Sequence, residues 1–146
     1  MDEFELAMDI IRNLEYAPLG YSEELKSKQL RTLLNRGGVA CSMNVSGRGA
    51  DILGRNFVIE AKNDLESETV LHILKGQIDG YVSRDGVTKV CVVVYGGAKQ
   101  RLLDDLRRYV SNFLLADIRV QVMGKVVRGT ETVRPSPGRD TTWLFS

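Results

Sequence analysis

Val90-Cys-Val-Val-Val-Tyr95 is a short, continuous apolar run with no alternation. A strand of that kind is buried on both faces, so helices must cover it from either side. The flanks supply them. Ser67 can cap a helix running to about Ser83, with Val70, Leu71, Leu74, Ile78 and Tyr81 as its apolar positions. Gly96-Gly97 leads into a strongly amphipathic helix over Lys99 to Leu115, with Leu102, Leu106, Tyr109, Val110 and Phe113 facing inward. Ile118, Val120 and Val122 then alternate as a final strand, expected at an edge of the sheet.

The upstream half reads as two helices and three short strands. Residues 3–15 place Phe4, Ala7, Met8, Ile11 and Leu14 at helical spacing, and Pro18 and Gly20 end that helix. Ser22 is an N-cap, with Glu23 and Glu24 favourable to the helix dipole. Its helix carries Leu30, Leu33 and Leu34 and stops at Gly37-Gly38. Strands follow at Val39 to Val45, Asp51 to Leu53 and Phe57 to Lys62, the last two joined by Gly54-Arg55-Asn56. The order α-α-β-β-β-α-β-α-β predicts an α/β fold, a mixed central sheet flanked by helices.

At 146 residues, 43% hydrophobic and 27% charged, the chain fits one globular domain. We place that domain at 1–127 and a C-terminal tail at 128–146, where Trp143-Leu144-Phe145 can dock. No apolar run is long enough to span a bilayer, and the acidic start MDEFELAMDII lacks the basic flank of a secretory signal. Cys41 and Cys91 form no disulfide framework and, with one His, no zinc pattern. A cytoplasmic protein without membrane contact is expected.

The net charge of +1 hides an asymmetry. Residues 1–25 carry seven acids and one Arg, whereas residues 26–62 carry seven bases and only Asp51 and Glu60 as acids. A basic segment built around two isolated carboxylates suits a phosphate-rich partner.

Those carboxylates break the strand pattern. Val58, Glu60 and Lys62 share one face of a strand, and Phe57, Ile59 and Ala61 the other. The hairpin can bring Asp51 alongside Glu60, so two acids and a Lys converge, on this reading at a solvent-facing end of the sheet. Two carboxylates and a backbone carbonyl suit Mg²⁺. Such a metal polarises a phosphate oxygen and acidifies a bound water, while the Lys can stabilise charge on the phosphoryl group. The competing reading is a surface ion pair on an exposed strand face.

Ala50-Asp51, followed after eight residues by Glu60-Ala61-Lys62, resembles the signature of the PD-(D/E)xK nuclease superfamily. Ala50 stands where that family's eponymous Pro would be. Gln77-Ile-Asp-Gly-Tyr81 is similar to the Q-x-x-x-Y helix of some exonuclease-type members. The resemblance implies a restriction-endonuclease-like αβββαβ core over 22–95 and a metal-dependent nuclease, acting on nucleic acid and most simply on DNA, that leaves a 5′-phosphate. It implies Asp51, Glu60 and the Ala61 carbonyl as ligands of Mg²⁺, with Mn²⁺ as a substitute, and Lys62 on the attacking water. Gln77 and Tyr81 orient the site, Gln77 close to Glu60 or Lys62, and Tyr81 also reaches nucleic acid. Many relatives add a Glu from the first core helix. Glu23 shares the face of Leu30 and Leu34, although first-turn dipole pairing explains it equally well. Arg48, in the Gly-rich loop before Asp51, is the candidate phosphate contact. Lys26, Lys28, Arg31 and Arg36 read as a solvated helix face, or with the other bases of 26–62 as one phosphate-holding surface beside the metal site. A homodimer is an expectation from the class. The alternative function is a non-catalytic domain on the same fold that binds nucleic acid or protein.

Overall fold

The computed structural model describes residues 2–14, 22–43, 51–127 and 142–145. Its elements are α1 (Glu3–Arg12), α2 (Glu23–Arg36), β1 (Ser42–Met43), β2 (Asp51–Leu53), β3 (Phe57–Lys62), α3 (Glu68–Val82), β4 (Lys89–Val94), β5 (Ala98–Lys99), α4 (Gln100–Val110), β6 (Asp117–Val122), β7 (Val126–Val127) and β8 (Thr142–Phe145). Six strands form one sheet in the order β1-β2-β3-β4-β6-β8. The pairs β1/β2, β2/β3 and β6/β8 are antiparallel; β3/β4 and β4/β6 are parallel. Parallel neighbours need crossovers, which α3 and α4 provide.

Helices cover both faces, as the apolar run 90–95 requires. On one face α3 and α4 pack over Val58, Val90, Val92, Val94, Val120 and Val122. On the other, α1 and α2 pack over Ile52, Phe57, Ile59, Ala61, Cys91 and Val93. The mixed α/β architecture expected from the sequence is the observed one.

Local chemistry sets the helix ends. The Ser22 and Ser67 hydroxyls accept from the backbone N–H groups of Leu25 and Val70 at 3.1 and 3.2 Å, satisfying donors that the first turn leaves open. Gly38, at φ +96°, ends α2 in a conformation that L side chains rarely adopt, and Val39 N–H returns to the Leu34 carbonyl at 2.9 Å.

Three expectations change. The helix expected to reach Leu115 stops at Val110. Phe113 and Ala116 N–H groups turn back to Val110 and Phe113 instead, and Leu114 and Leu115 are left exposed. Ser and Asn are weak helix formers that favour helix ends, and the Ser111 hydroxyl donates to the Arg108 carbonyl at 2.6 Å. The strand expected over 39–45 begins at Ser42 and not at Val39, and is described to Met43; residues 44 and 45 lie outside the described residues. Finally, β6 is not an edge, because β8 pairs along it from Arg119↔Phe145 to Val122↔Thr142.

Candidate active site

The β2–β3 hairpin builds the site. Gly54 N–H donates to the Phe57 carbonyl at 2.8 Å and closes the turn. The register then runs Leu53↔Val58, Ile52↔Ile59 and Asp51↔Glu60. Hydrogen-bonded and non-hydrogen-bonded pairs alternate along such a ladder. Counting from the closed 54–57 pair, 51↔60 is of the narrow, non-hydrogen-bonded kind, with Cα atoms about 4.5 Å apart. By the same alternation, the backbone polar groups of Ala61 point to the β2 side, past the last described pair.

Val58 belongs to the apolar core under α3 and α4, so the face it shares with Glu60 and Lys62 is the covered one. Glu60 is 0% exposed and Lys62 8%. Neither the solvent-facing sheet end nor the exposed surface pair holds, because α3 lies across this face. Burying a carboxylate is costly unless it is paired and hydrogen-bonded, and Glu60 is both. Lys62 Nζ lies 3.3 Å from Oε1, and the Tyr81 hydroxyl donates to Oε2 at 2.5 Å.

Tyr81 is thus the side chain that α3 sets on the carboxylate. It is buried, with the Arg84 guanidinium 5.2 Å from its ring centre. The contact of Gln77 with Glu60 or Lys62 does not appear as a hydrogen bond. Gln77 is half-buried, and its Oε1 is enclosed with no hydrogen-bond partner. Arg48 lies outside the described residues.

On the opposite face, the first turn of α2 meets the end of β3. The Glu23 carboxylate accepts the Asn63 N–H at 3.0 Å. Lys26, far from being on a solvated face, is 7% exposed. Its Nζ donates to Asn63 Oδ1 at 3.1 Å and sits 5.4 Å from the Tyr95 ring centre. Burial pushes the Lys26 ammonium down from its usual range, and the charge of Glu23 opposes that shift. Burial likewise pushes the Tyr95 phenol up. Lys28 does lie on the outside, paired with Glu24 at 3.2 Å. Sequence reasoning missed Lys26 and Asn63. The available signal was spacing: Glu23, Lys26, Ser27, Leu30 and Leu34 form one inward stripe.

Among the described residues, no group of three or more His, Cys, Asp or Glu is arranged around a metal position. The donor chemistry nevertheless fits a hard cation. Carboxylate oxygens are hard-cation ligands, and Glu60 has Asp51 as its cross-strand neighbour. Glu23 fits less well, since its carboxylate holds the Asn63 N–H on the opposite face of the sheet from Glu60.

Compared with family models, curated proteins and solved structures, the chain matches none. No described helix is long and apolar enough to cross a membrane.

Proposed function

We propose that this chain is a Mg²⁺-dependent nuclease on a restriction-endonuclease-like core, acting on DNA. The observation that carries the reading is the pairing of Asp51 with Glu60 while Lys62 contacts the same carboxylate. The run α2-β1-β2-β3-α3-β4, with β2 antiparallel to both its neighbours and β3 parallel to β4, supports it.

Asp51, Glu60 and the Ala61 carbonyl would hold the cation. When bound, it supplies charge neutralisation at the phosphate and a more acidic water. Lys62 carries a fixed positive charge beside Glu60, where it can orient that water or stabilise the phosphoryl oxygens. The Tyr81 hydroxyl fixes the rotamer of Glu60, and α3 excludes bulk water from it. Gln77 brings an enclosed amide oxygen on the same helix, one turn before Tyr81.

The test is incubation with labelled single-stranded, duplex and branched DNA, with and without Mg²⁺ or Mn²⁺. Metal-dependent cleavage leaving a 5′-phosphate is expected. Lys62→Ala, assayed where it is folded, should retain metal and lose about a hundredfold in rate, the scale of one preorganised charge contact. Undiminished cleavage by that variant overturns the mechanism. One observation favours a second reading, a non-catalytic domain on the same fold: Glu60 is wholly buried with both oxygens engaged. Metal-independent DNA binding without cleavage would select it.

A further inference from the structure

We propose that Glu23 and Lys26 are positioning residues, a clamp by which the first turn of α2 fixes Lys62 through Asn63. The peptide unit between Lys62 and Asn63 is held at both ends. Its oxygen accepts the Tyr95 N–H at 2.9 Å, and its N–H donates to Glu23 Oε2 at 3.0 Å. Lys26 Nζ then fixes the Asn63 side chain at 3.1 Å. Hydrogen bonds on both edges restrain this peptide plane, so the backbone that carries Lys62 is set from α2 and from the residue that follows β4. The side chain of Lys62 meets Glu60 on the other face of the sheet.

The burial of Lys26 argues for a specific role. No carboxylate lies within ion-pair range of its ammonium among the described residues; what it has is an amide oxygen and the Tyr95 ring. A buried lysine is rare and costly to desolvate, and a Met could fill much the same space without that cost. What Met could not do is donate to Asn63. The clamp also gives the Glu23 carboxylate a task other than metal ligation. The catalytic consequence of this assignment rests on the nuclease reading; the clamp itself does not.

The test uses the full chain with Glu23→Ala, Glu23→Gln and Lys26→Met, and Asp51→Asn for comparison. Three quantities are measured: Mn²⁺ affinity by calorimetry, kcat and KM on labelled duplex DNA, and hydrogen exchange of the Asn63 amide by NMR. Glu23→Ala and Lys26→Met should lower kcat by about tenfold or more while KM and Mn²⁺ affinity change by less than about threefold, the pattern of lost positioning. Glu23→Gln should recover most of the rate, because its amide oxygen can still accept the Asn63 N–H. Exchange at Asn63 should accelerate by about tenfold in Glu23→Ala and far less in Glu23→Gln, since only Ala frees that amide. If Glu23→Gln loses Mn²⁺ affinity as severely as Asp51→Asn, Glu23 is a ligand and the clamp is overturned. Unchanged Asn63 exchange in Glu23→Ala also overturns it. A wild-type chain that neither binds Mn²⁺ nor cleaves defeats the nuclease reading alone, and the exchange measurement still decides the clamp.

Discussion

Glu60 is a fully buried carboxylate whose charge is balanced by Lys62 and whose second oxygen takes the Tyr81 hydroxyl. Removing one partner of such a pair leaves a stranded charge, at a cost of about 3–5 kcal/mol. Lys62→Met should therefore lower the urea midpoint strongly. The double variant Glu60→Gln/Lys62→Met should recover much of the loss, because no stranded charge is then left. Tyr81→Phe keeps the ring and deletes one bond to a charged acceptor, worth about 1.5–3 kcal/mol. Urea melts of the four proteins check this set. Near-wild-type stability of Lys62→Met would mean that solvent reaches Glu60 after all. The chemical content of this site was legible in the sequence, since an acid and a base on one strand face interrupt the apolar pattern. Its burial was not. Whether a strand face is covered depends on where a helix some twenty residues later comes to lie, and the contact between Tyr81 and Glu60 has no local signature.

Elements that declare themselves locally were read closely. Ser22 and Ser67 cap α2 and α3, Gly37-Gly38 end α2, and the unbroken run in β4 needed no partner to be recognised. The two-residue strands β5 and β7 escaped, because their parallel pairing, Ala98↔Val126 and Lys99↔Val127, is a backbone contact between distant segments. The docking of α1 is likewise non-local. Arg119 on β6 grips Glu5 through its two terminal guanidinium nitrogens, at 3.0 and 2.5 Å, and Lys89 on β4 meets Asp2 at 2.8 Å. The hydrogen bond from Arg119 holds the Glu5 carboxyl below its ordinary value of 4.5, and that from Lys89 holds Asp2 below 3.8. Lowered folded-state values mean that this stabilisation is complete above the ordinary carboxyl range. It is lost as pH falls through the depressed values. The protection factors of the α1 amides, taken against the intrinsic exchange rate at each pH, should consequently fall on acidification while those of β4 stay high. Arg119→Met should show fast α1 exchange already at neutral pH. Uniform protection of α1 and β4 across that range would show that Phe4, Met8 and Ile11 alone hold the helix.

At the scale of the whole molecule the sheet is asymmetric. Among the described residues, one side consists of the β2–β3 hairpin and Ser42–Met43 of β1. The other is finished by β8, which returns from far along the chain to pair with β6. That closure matters because β6 is buried: Val120 is 1% exposed, and Gln121 and Val122 are 0%. A chain ending before Thr142 would leave the backbone groups of Arg119 to Val122 without their β8 partners. An open, apolar strand edge is a template for association with other chains. Loss of about 2 kcal/mol of strand pairing and cover in a domain of this size corresponds to a fall in Tm of roughly 4–8 °C. The truncated protein should therefore melt earlier and show concentration-dependent association by size-exclusion chromatography. The same truncation should leave the Asp51–Glu60 hairpin intact, since β4 lies between it and β6. A monomeric truncation with an unchanged melt would mean that β8 contributes nothing to the stability of β6. A truncation that abolished metal binding while still folded would mean that the two ends of the sheet are coupled through β4.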